Sequence, residues 1–444
     1  MTHDAVGDAA RPDGGQRALF AHDARAYGDS FDRLWAELEP VGRASSGGYR
    51  RFAWTSVDAA LREWFVGTAR ARGLDVAPDR AGNLWAWWGD PDRHGPGLVV
   101  GSHLDSVPDG GAFDGPLGIV SAFVALDVLR GNDFSPAIPI GIVLFADEEG
   151  ARFGVACAGS RLLTGALAPK HAMALRDGEG TTLAQAHPGA WLGRDDEALR
   201  RVGRFVELHV EQGRGLVHSG SPVGVGSAIW PHGRWRVDLA GRADHAGTTA
   251  LADRDDPMLA LARLITAARA AAERHGAVAT VAKVRVEPNG VNAIPSRVTA
   301  WLDARAAAEP AVRAVLADLA DLADLADLAP AQESWTARTT FDPDLTADLA
   351  ALLGVPGGPG APVLETGAGH DAGVLAQAGV PTSMLFVRNP TGVSHSPHEH
   401  AERDDCLAGV QALARVVEHL AGPPHRRADV VGRQVAEHEP GGQP

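Results

Sequence analysis

The amino-acid sequence predicts an α/β protein, with a mostly parallel sheet wrapped by helices and an inserted α+β domain of ferredoxin-like topology. Three observations support this fold class. Between about residues 30 and 226, helix-like stretches such as 57–73 alternate with short apolar runs, which is typical of parallel sheets. Beyond Trp230, apolar and charged residues alternate one by one, as expected for a half-exposed strand. Near the C-terminus, residues 383–387 again have the pattern of a buried strand.

The middle segment is expected to form six elements in the order β-α-β-β-α-β. In chain order they are a strand at 234–239, a helix over about 256–275, strands over 277–287 and 296–305, a second helix, and a short strand near 335–340. Pro288-Asn289-Gly290, between the two central strands, has the chemistry of a hairpin turn. We therefore expect a sheet domain over residues 29–228 and 341–421, an inserted domain over 229–340, and disordered tails at 1–28 and 422–444.

Composition excludes several classes of partner. The 444 residues carry a formal net charge of −15, and the sequence pI is about 5.6. This balance disfavours nucleic acid as a partner, because phosphate backbones are bound by clustered Lys and Arg. Cys157 and Cys406 are the sole cysteines, so we expect neither disulfides nor a thiolate metal site. Because no stretch resembles a signal peptide or a membrane span, we expect a cytoplasmic protein that acts on a small molecule.

Acidic and imidazole side chains recur at the ends of apolar runs. The candidates are His103, Asp114, Glu148, Glu149, His209 and His395. Residues 140–145 read as a buried parallel strand that delivers Glu148 and Glu149 at its C-terminal end. Open α/β sheets place their chemistry at this end of their strands. Together the candidates predict a two-metal hydrolase site.

The chemistry of such a site assigns some roles before any relative is considered. Two divalent ions about 3.5 Å apart need a carboxylate to bridge them, and Asp114 is the natural bridge. Alternation within strand 205–210 directs Glu207 and His209 away from the packed face that holds Val206. One of the two adjacent glutamates can bind metal while the other takes a proton from water, and spacing alone does not decide which.

Other polar features have a structural interpretation. An Asp-Leu-Ala repeat over residues 318–329 would form an acidic strip if it bound metal. A leucine at every third position instead moves around a helix with 3.6 residues per turn, so we interpret the repeat as a solvated helix. Asp105 and Asp371 are expected to orient His103 or its loop rather than to bind metal.

Eight motifs resemble those of the M20-type metallohydrolases and, within them, the ureido-amidohydrolase branch. They are Gly-Ser-His-Leu-Asp-Ser-Val at 101–107, Phe-Asp-Gly-Pro-Leu-Gly at 113–118, Glu-Glu-Gly-Ala-Arg-Phe at 148–153, Glu-Leu-His-Val-Glu-Gln-Gly at 207–213, His-Ala-Gly-Thr-Thr at 245–249, Gly-Val-Asn-Ala-Ile-Pro at 290–295, Gly-Ala-Gly-His-Asp-Ala at 367–372 and Ser-His-Ser-Pro at 394–397. The resemblance extends from about residue 32 to 420, which is nearly the whole chain.

The resemblance implies a catalytic domain that holds two divalent ions per subunit. The implied ligands are His103, Asp114 as the bridge, Glu149, His209 and His395, with Glu148 as the general base. The family's Ser-His-x-Pro pattern selects His395 over the neighbouring His398. Imidazole and carboxylate ligands suit Zn²⁺ or Mn²⁺, and Co²⁺ or Ni²⁺ are compatible as well.

The resemblance also implies that the inserted domain is a lid and dimerisation domain. His245 matches a histidine that reaches the neighbouring subunit's site in homodimers and stabilises an oxyanion there. Asn292 and Arg305 match a substrate-binding pair, and a guanidinium suits a substrate carboxylate. Gln212 is expected to be a further polar contact, and His370 suits either a substrate contact or a structural hydrogen bond.

The implied reaction is hydrolysis of a ureido C–N bond in a small substrate that bears a carboxylate. Allantoate, which would release ammonia and CO2 in allantoin catabolism, is the expected substrate because the segments 147–154 and 229–234 resemble those of allantoate amidohydrolases. N-carbamoyl-L-amino-acid hydrolase and β-ureidopropionase are the nearest alternatives. An M20-type aminopeptidase or dipeptidase is a remoter alternative, because Asn292 and Arg305 suit a substrate carboxylate. A non-catalytic binding protein is also a remoter alternative, because neither any implied metal ligand nor the implied base is missing from the sequence.

Two departures from the family pattern affect the expected substrate preference. Asp244 stands where related chains often carry asparagine, and a carboxylate beside His245 would raise the pKa of the imidazole. The junction 229–234 also differs from the Gly-Gln-Arg type of segment that is usual between the two domains.

Overall fold

The computed structural model describes residues 24–187, 193–321 and 330–423. Within these residues the chain divides into two compact units. The second unit consists of Ala228–Thr339 and Glu365–Ala368, and the first unit contains the other described residues.

Helices and strands alternate through most of the chain. The helices are α1 Ala24–Leu38, α2 Ser56–Ala71, α3 Pro91–His94, α4 Pro116–Gly131, α5 Ala158–Thr164, α6 Pro169–Ala174, α7 Leu183–Ala186, α8 Asp196–Arg200, α9 Gly215–Ser219, α10 Pro257–His275, α11 Glu309–Ala320, α12 Pro343–Leu352, α13 Asp371–Gln377 and α14 Arg403–Ala421, with a 3-10 turn at Leu251–Asp253. The strands are β1 Asp75–Pro78, β2 Leu84–Trp88, β3 Gly97–His103, β4 Ile140–Phe145, β5 Val202–Val210, β6 Val223–Ile229, β7 His232–Ala240, β8 Asp244–His245, β9 Val278–Glu287, β10 Ala293–Ile294, β11 Arg297–Arg305, β12 Ala331–Thr336, β13 Thr339–Thr340, β14 Val363–Thr366 and β15 Thr382–Val387.

The first unit is built on a nine-stranded sheet. Its order is β1-β2-β4-β3-β5-β15-β6-β13, with β14 paired to β6. The central strands β4, β3, β5 and β15 are parallel to one another, whereas β2 and β6 flank them in antiparallel orientation. Every residue of β3, β4 and β15 is buried, as expected for strands covered on both faces. The predicted α/β class with a mostly parallel sheet is confirmed.

Helix α4 shows why the sequence covers this sheet so completely. Pro116 occupies the start of the helix, where its missing N–H and fixed φ do no harm. The residues that follow are apolar on all sides, and most of the helix from Pro116 to Leu126 is buried. The helix packs on β3 and β5, and its N-terminus follows directly after Asp114. The packing of α4 therefore fixes the position of that carboxylate.

The second unit is a four-stranded antiparallel sheet with two helices. The strand order β12-β7-β11-β9 matches the predicted ferredoxin-like series. Trp235, Val237 and Leu239 of β7 alternate with more exposed residues and pack with α10 and α11 in a core of their own. Asp256 caps α10 by accepting from the backbone N–H of Met258.

Two details of this unit differ from the sequence-based prediction. Pro288-Asn289-Gly290 does not close a tight hairpin, because the connection continues to Ser296 and contains β10, which pairs with β8. Glu365–Ala368, expected in the sheet domain, groups with the second unit. Its backbone explains this, since Thr366 accepts from the N–H of Trp230 and Gly367 accepts from the guanidinium of Arg305.

The structure describes only part of the two chain ends and of the Asp-Leu-Ala repeat. The N-terminal tail predicted over 1–28 is wrong from Ala24 onward, where α1 begins, and residues 1–23 lie outside the described part. In the repeat, α11 extends to Ala320, while 322–329 lie outside the described residues, as do 424–444 of the predicted C-terminal tail. Among the helices that the structure describes, none combines the length and apolarity needed to cross a membrane.

Candidate metal centre

Parallel strand register brings two histidines together at one edge of the sheet. His103 is the last residue of β3, and His209 is the penultimate residue of β5. Gly101 pairs with Glu207 in the register of these strands, so the two histidines extend from the same end. Both rings are buried, and their centroids lie 6.0 Å apart. The apolar strands therefore deliver two imidazoles to one point, as the sequence predicted.

Asp114 reaches this point because a glycine follows it. Gly115 has φ +86°, a conformation that disfavours other residues. A Cβ atom at Gly115 would lie 2.5–2.7 Å from ring atoms of His103. The backbone of this turn therefore approaches the imidazole more closely than any side-chain-bearing residue allows, which places the Asp114 carboxylate beside the two histidines.

The carboxylate of Asp114 lies between two groups of possible ligands. Its Oδ1 is 3.5 Å from Nε2 of His103 and 3.1 Å from Nε2 of His209. Its Oδ2 is 3.5 Å from Nε2 of His395, and that nitrogen is also 3.5 Å from Oε2 of Glu149. Each oxygen thus faces a different triad of ligand atoms, one with His103 and His209 and one with Glu149 and His395.

These spacings fit metal ions. Two ligand atoms at about 2.0–2.2 Å from one tetrahedral ion lie roughly 3.3–3.6 Å apart, close to the observed separations. The Nδ1 atoms of His103 and His209 lie 3.1 and 2.9 Å from the carbonyl oxygens of Asp105 and Val210. Because a carbonyl only accepts, Nδ1 of each ring carries a proton, and in the neutral form of the ring the Nε2 lone pair faces the site. Both Nε2 atoms are buried and make no hydrogen bond to a described residue.

The electrostatics of the first triad keep its carboxylate ionised. Burial alone would raise the pKa of Asp114, but His209 and His103 outweigh burial and hold the pKa well below its usual value. Burial would lower the pKa of His209, and the adjacent Asp114 instead raises it to about 8. An anionic, doubly shared carboxylate is the group that a bridging role requires.

Asp105 contacts the backbone of both Glu148 and Glu149, whose side chains point toward different histidines. The Asp105 carboxylate accepts from the backbone N–H groups of Glu148 and Glu149 at 3.1 and 3.0 Å. Glu149 then faces His395, whereas Oε2 of Glu148 lies 3.7 Å from Nε2 of His103. Burial raises the pKa of Glu148 well above its usual value, and burial together with Asp114 raises that of Glu149 to about 8. The Asp105 carboxylate thus holds the backbone of both glutamates, a contact that differs from the expected role of orienting His103 or its loop.

His395 lies on a loop and differs from the other candidate ligands. Its side chain is 51% exposed and its φ is +54°, an uncommon backbone conformation for a residue with a side chain. His395, and not His398, is the histidine that falls within the second triad. Gln212, expected to be a polar substrate contact, donates from Nε2 to Asp114 Oδ2 at 2.9 Å and so lies beside the same triad.

His370 lies beneath the first triad. Its ring meets that of His209 edge to face at 4.5 Å, and its Nε2 is buried without a hydrogen bond to a described residue. Burial lowers the pKa of His370 well below its usual value, so the ring is neutral. Asp371 next to it accepts from the Ser160 hydroxyl at 2.5 Å, and its backbone neighbour Ala372 donates to buried Glu207. The Asp371 carboxylate thus links the start of α13 to Ser160 of α5, and Asp371 does not belong to either triad.

Two side chains near the candidate ligands were not predicted from the sequence. The buried thiol of Cys157 lies 3.3 Å from Oε1 of Glu148 and donates to it. The buried carboxylate of Glu399 accepts from the backbone N–H of Asp114 at 2.9 Å. Glu399 follows His395 by four residues, which was the only available signal; nothing in the sequence around Cys157 indicated its contact.

In the second unit, His245 and Asn292 lie on a short two-stranded ribbon. His245 in β8 pairs with Ala293 in β10, next to Asn292, and both side chains are exposed. Gly247 donates its backbone N–H to Nδ1 of His245 at 3.0 Å, so the neutral ring carries its proton on Nε2. Asp244 accepts from the backbone N–H of His245, so its carboxylate contacts the main chain.

Arg305 lies at the end of β11 and is already partly engaged. Its Nε and Nη2 donate to the two carboxylate oxygens of Asp303 at 2.7 and 3.0 Å, and its Nη1 donates to the carbonyl of Gly367 at 2.8 Å. Three of the five N–H groups of a guanidinium are thereby used, which leaves one on each terminal nitrogen. These two N–H groups are available to a further acceptor such as a carboxylate.

A sheet that carries two ligand triads with a shared carboxylate is typical of metal-dependent hydrolases. Residues 99–419 match the peptidase family M20/M25/M40. The N-carbamoyl-L-amino acid amidohydrolase of Geobacillus stearothermophilus is 36% identical over 414 residues, which cover 88% of this chain and 98% of that protein. The allantoate amidohydrolase of Escherichia coli (strain K12) is 30% identical over 400 residues, with 86% and 96% covered.

Solved structures of similar fold come from the same group of enzymes. The crystal structure of an amidase of the hydantoinase/carbamoylase family from Burkholderia vietnamiensis has a TM-score of 0.81 and 30% identity, and the match covers 89% of this chain and 98% of that one. The chain therefore belongs to peptidase family M20/M25/M40 and is a hydrolase. The resemblance to the ureido-amidohydrolase branch, predicted from the motifs, is confirmed.

Proposed function

We propose that this chain hydrolyses a ureido C–N bond in a small, carboxylate-bearing substrate with the help of two divalent metal ions. The observation that carries the proposal is the position of Asp114, whose two oxygens face two separate ligand triads. Relatives named for ureido substrates cover most of this chain, which supports the class of reaction.

A first ion would be held by His103, His209 and Asp114, and a second by Glu149, His395 and Asp114. Zn²⁺ and Mn²⁺ suit these imidazole and carboxylate ligands, as do Co²⁺ and Ni²⁺. Such a pair of ions, when bound, polarises a carbonyl and lowers the pKa of water.

Glu148 is the proposed general base. Its carboxylate is buried beside His103, and the Cys157 thiol donates to Oε1, which leaves Oε2 directed at the metal ligands. Burial raises the pKa of Glu148, and a raised pKa lets a carboxylate hold a proton near neutral pH. Glu148 would accept the proton of the attacking water and return it to the leaving nitrogen.

The second unit supplies the proposed substrate contacts. Nε2–H of His245 is a donor suited to a developing oxyanion, and in a homodimer it would act in the neighbouring subunit's site. The free edge of the Arg305 guanidinium suits the substrate carboxylate, with Asn292 as a further polar contact. Buried, neutral His370 is proposed to contact substrate from the metal side.

Two substrates are proposed. Allantoate is supported by the motifs at 147–154 and 229–234 and by the E. coli relative named for it. An N-carbamoyl-L-amino acid is the second candidate, because the G. stearothermophilus relative named for that substrate shares 36% identity rather than 30%. Both carry the ureido group and the carboxylate that the proposed site requires.

Ammonia release from a substrate panel tests the proposal. Purified protein is stripped with a chelator, reloaded with Mn²⁺ or Zn²⁺, and offered allantoate, several N-carbamoyl-L-amino acids and N-carbamoyl-β-alanine. We expect ammonia release from at least one ureido substrate, which disappears on stripping and returns on reloading. Activity on dipeptides alone, or silence on every ureido substrate with metal bound, would contradict the proposed function.

A further inference from the structure

We propose that Glu399 is a positioning residue that fastens the loop of His395 to the loop of Asp114 and so assembles the second metal triad. We call the Glu399 carboxylate and its contacts with Phe113, Asp114 and Ser394 the Glu399 clasp. The inference rests on the proposed function, since it concerns how the proposed ligands of the second ion are held.

One oxygen of Glu399 holds the Asp114 loop. Oε1 accepts from the backbone N–H of Phe113 at 2.8 Å and from that of Asp114 at 2.9 Å. The side chain reaches this position because residue 111 is glycine; a Cβ atom there would lie 2.3 Å from Oε1 of Glu399. The hydrogen bond from Asp114 is buried, where an unpaired backbone donor is costly, and the one from Phe113 is partly buried. Glu399 therefore fixes the main chain on which the shared carboxylate is mounted.

The other oxygen of Glu399 holds the His395 loop. Oε2 lies 3.1 Å from the hydroxyl of Ser394, the residue before His395. The same hydroxyl is 3.1 Å from Oδ2 of Asp114, the oxygen that faces the second triad. The backbone N–H of Glu399 also donates to the carbonyl of Ser396 at 3.0 Å. Glu399 thus contacts both sides of His395 in the sequence while it holds Asp114.

The two triads differ in how much they need such a clasp. His103 and His209 belong to buried strands, and the sheet register sets their separation. His395 belongs to a loop and has a half-exposed side chain. Glu149 is held independently, because its backbone N–H donates to Asp105. Loss of the clasp should therefore displace His395 relative to Asp114, with a smaller effect on the first triad.

The chemistry of the contacts predicts which substitutions break the clasp. Glutamine at position 399 keeps a carbonyl oxygen for the two backbone donors, and its amide nitrogen donates to the Ser394 hydroxyl. Alanine removes the acceptor of both backbone N–H groups, of which that of Asp114 is buried. Glu399→Gln should thus preserve the second triad, and Glu399→Ala should not.

Calorimetric titration of the metal-stripped full chain with Zn²⁺ or Mn²⁺ tests the inference. For Glu399→Ala we expect the weaker of two binding steps to lose about 10- to 100-fold in affinity, the usual effect of removing a group that orients a ligand, while the tighter step changes less. Glu399→Gln should bind as the unchanged protein does. Glu402→Ala is the matched control, because Glu402 is exposed and pairs with His400. Ser394→Ala removes the contact of Glu399 Oε2 with the His395 loop, so its loss of affinity in the weaker step should be smaller than that of Glu399→Ala and larger than that of Glu399→Gln.

Circular dichroism of the stripped proteins establishes that each variant is folded. If Glu399→Ala does not fold, the same comparison is made with Ser394→Ala and Glu399→Gln. Two unchanged binding steps in Glu399→Ala, or in its replacement Ser394→Ala, would overturn the clasp, as would a loss in Glu399→Gln as large as that in Glu399→Ala. Absence of two-step binding in the unchanged protein would instead overturn the proposed two-ion function.

Discussion

The two units of this chain carry their functional side chains in opposite ways. In the first unit, His103 and His209 end buried strands and are 1% and 0% exposed. In the second unit, His245 and Asn292 lie exposed on a short ribbon of β8 and β10. Buried, strand-mounted ligands are fixed before metal binds, whereas exposed side chains gain their partners when substrate or another subunit arrives. In the proposed function, metal binding would belong to the first unit and substrate contacts to the second.

The largest expected effect comes from removing the proposed base in the first unit. Glu148→Gln keeps the size of the side chain and loses its ability to accept a proton. We expect kcat to fall by about 10²–10⁴-fold, the usual contribution of general acid–base catalysis, with metal content unchanged. Steady-state kinetics and elemental analysis of the same preparation give both values. Glu197→Gln on exposed α8 is the control, and near-normal turnover by Glu148→Gln would assign the base elsewhere.

An intermediate effect is expected from His245 in the second unit. Replacement with alanine removes the proposed donor to the oxyanion, which should lower kcat by about 10²–10³-fold. Because His245 belongs to the other unit, the metal content should stay the same. His245→Gln, whose amide can still donate, should retain more turnover than His245→Ala. The division between the units would be incorrect if metal were lost together with activity.

A smaller effect is expected from Arg305, and it should appear in KM. Arg305→Lys keeps the charge but cannot form two parallel hydrogen bonds to a carboxylate. We expect KM to rise about 10- to 100-fold, the value of a charge-assisted hydrogen bond, while kcat changes little. Initial rates across a range of substrate concentrations separate the two constants. With an amide analogue of the substrate, the unchanged protein and Arg305→Lys should have similar KM values. If Arg305→Lys left the KM for the carboxylate substrate unchanged, Arg305 would not bind substrate.

The sequence predicted the first unit well where the pattern of apolar residues determines which way a side chain points. The run before His103 and the alternation around His209 correctly placed both rings at one sheet edge, because parallel strands end together. The same reasoning could not distinguish the roles of Glu148 and Glu149. Their directions depend on Asp105, which binds both backbone N–H groups from 43 and 44 positions away.

Contacts between distant segments account for most of what the sequence did not show. The Glu399 carboxylate and the N–H of Asp114 are 285 positions apart, and no local pattern connects them. The hydrogen bond from the Gln212 amide to Asp114, 98 positions away, was likewise not indicated by the sequence. Strands β9 and β11 pair as expected, but their connection extends beyond 288–290 to Ser296, since Ala293 and Ile294 pair with Asp244 and His245.

The metal content of the purified protein tests the central claim, that Asp114 joins two ion sites in one unit. Elemental analysis after reloading with Zn²⁺ or Mn²⁺ and removal of free metal should give two ions per chain. Asp114→Asn, nearly isosteric but uncharged, should hold one ion or none. A protein that binds at most one ion, or an Asp114→Asn variant that keeps both, would contradict a carboxylate-bridged pair.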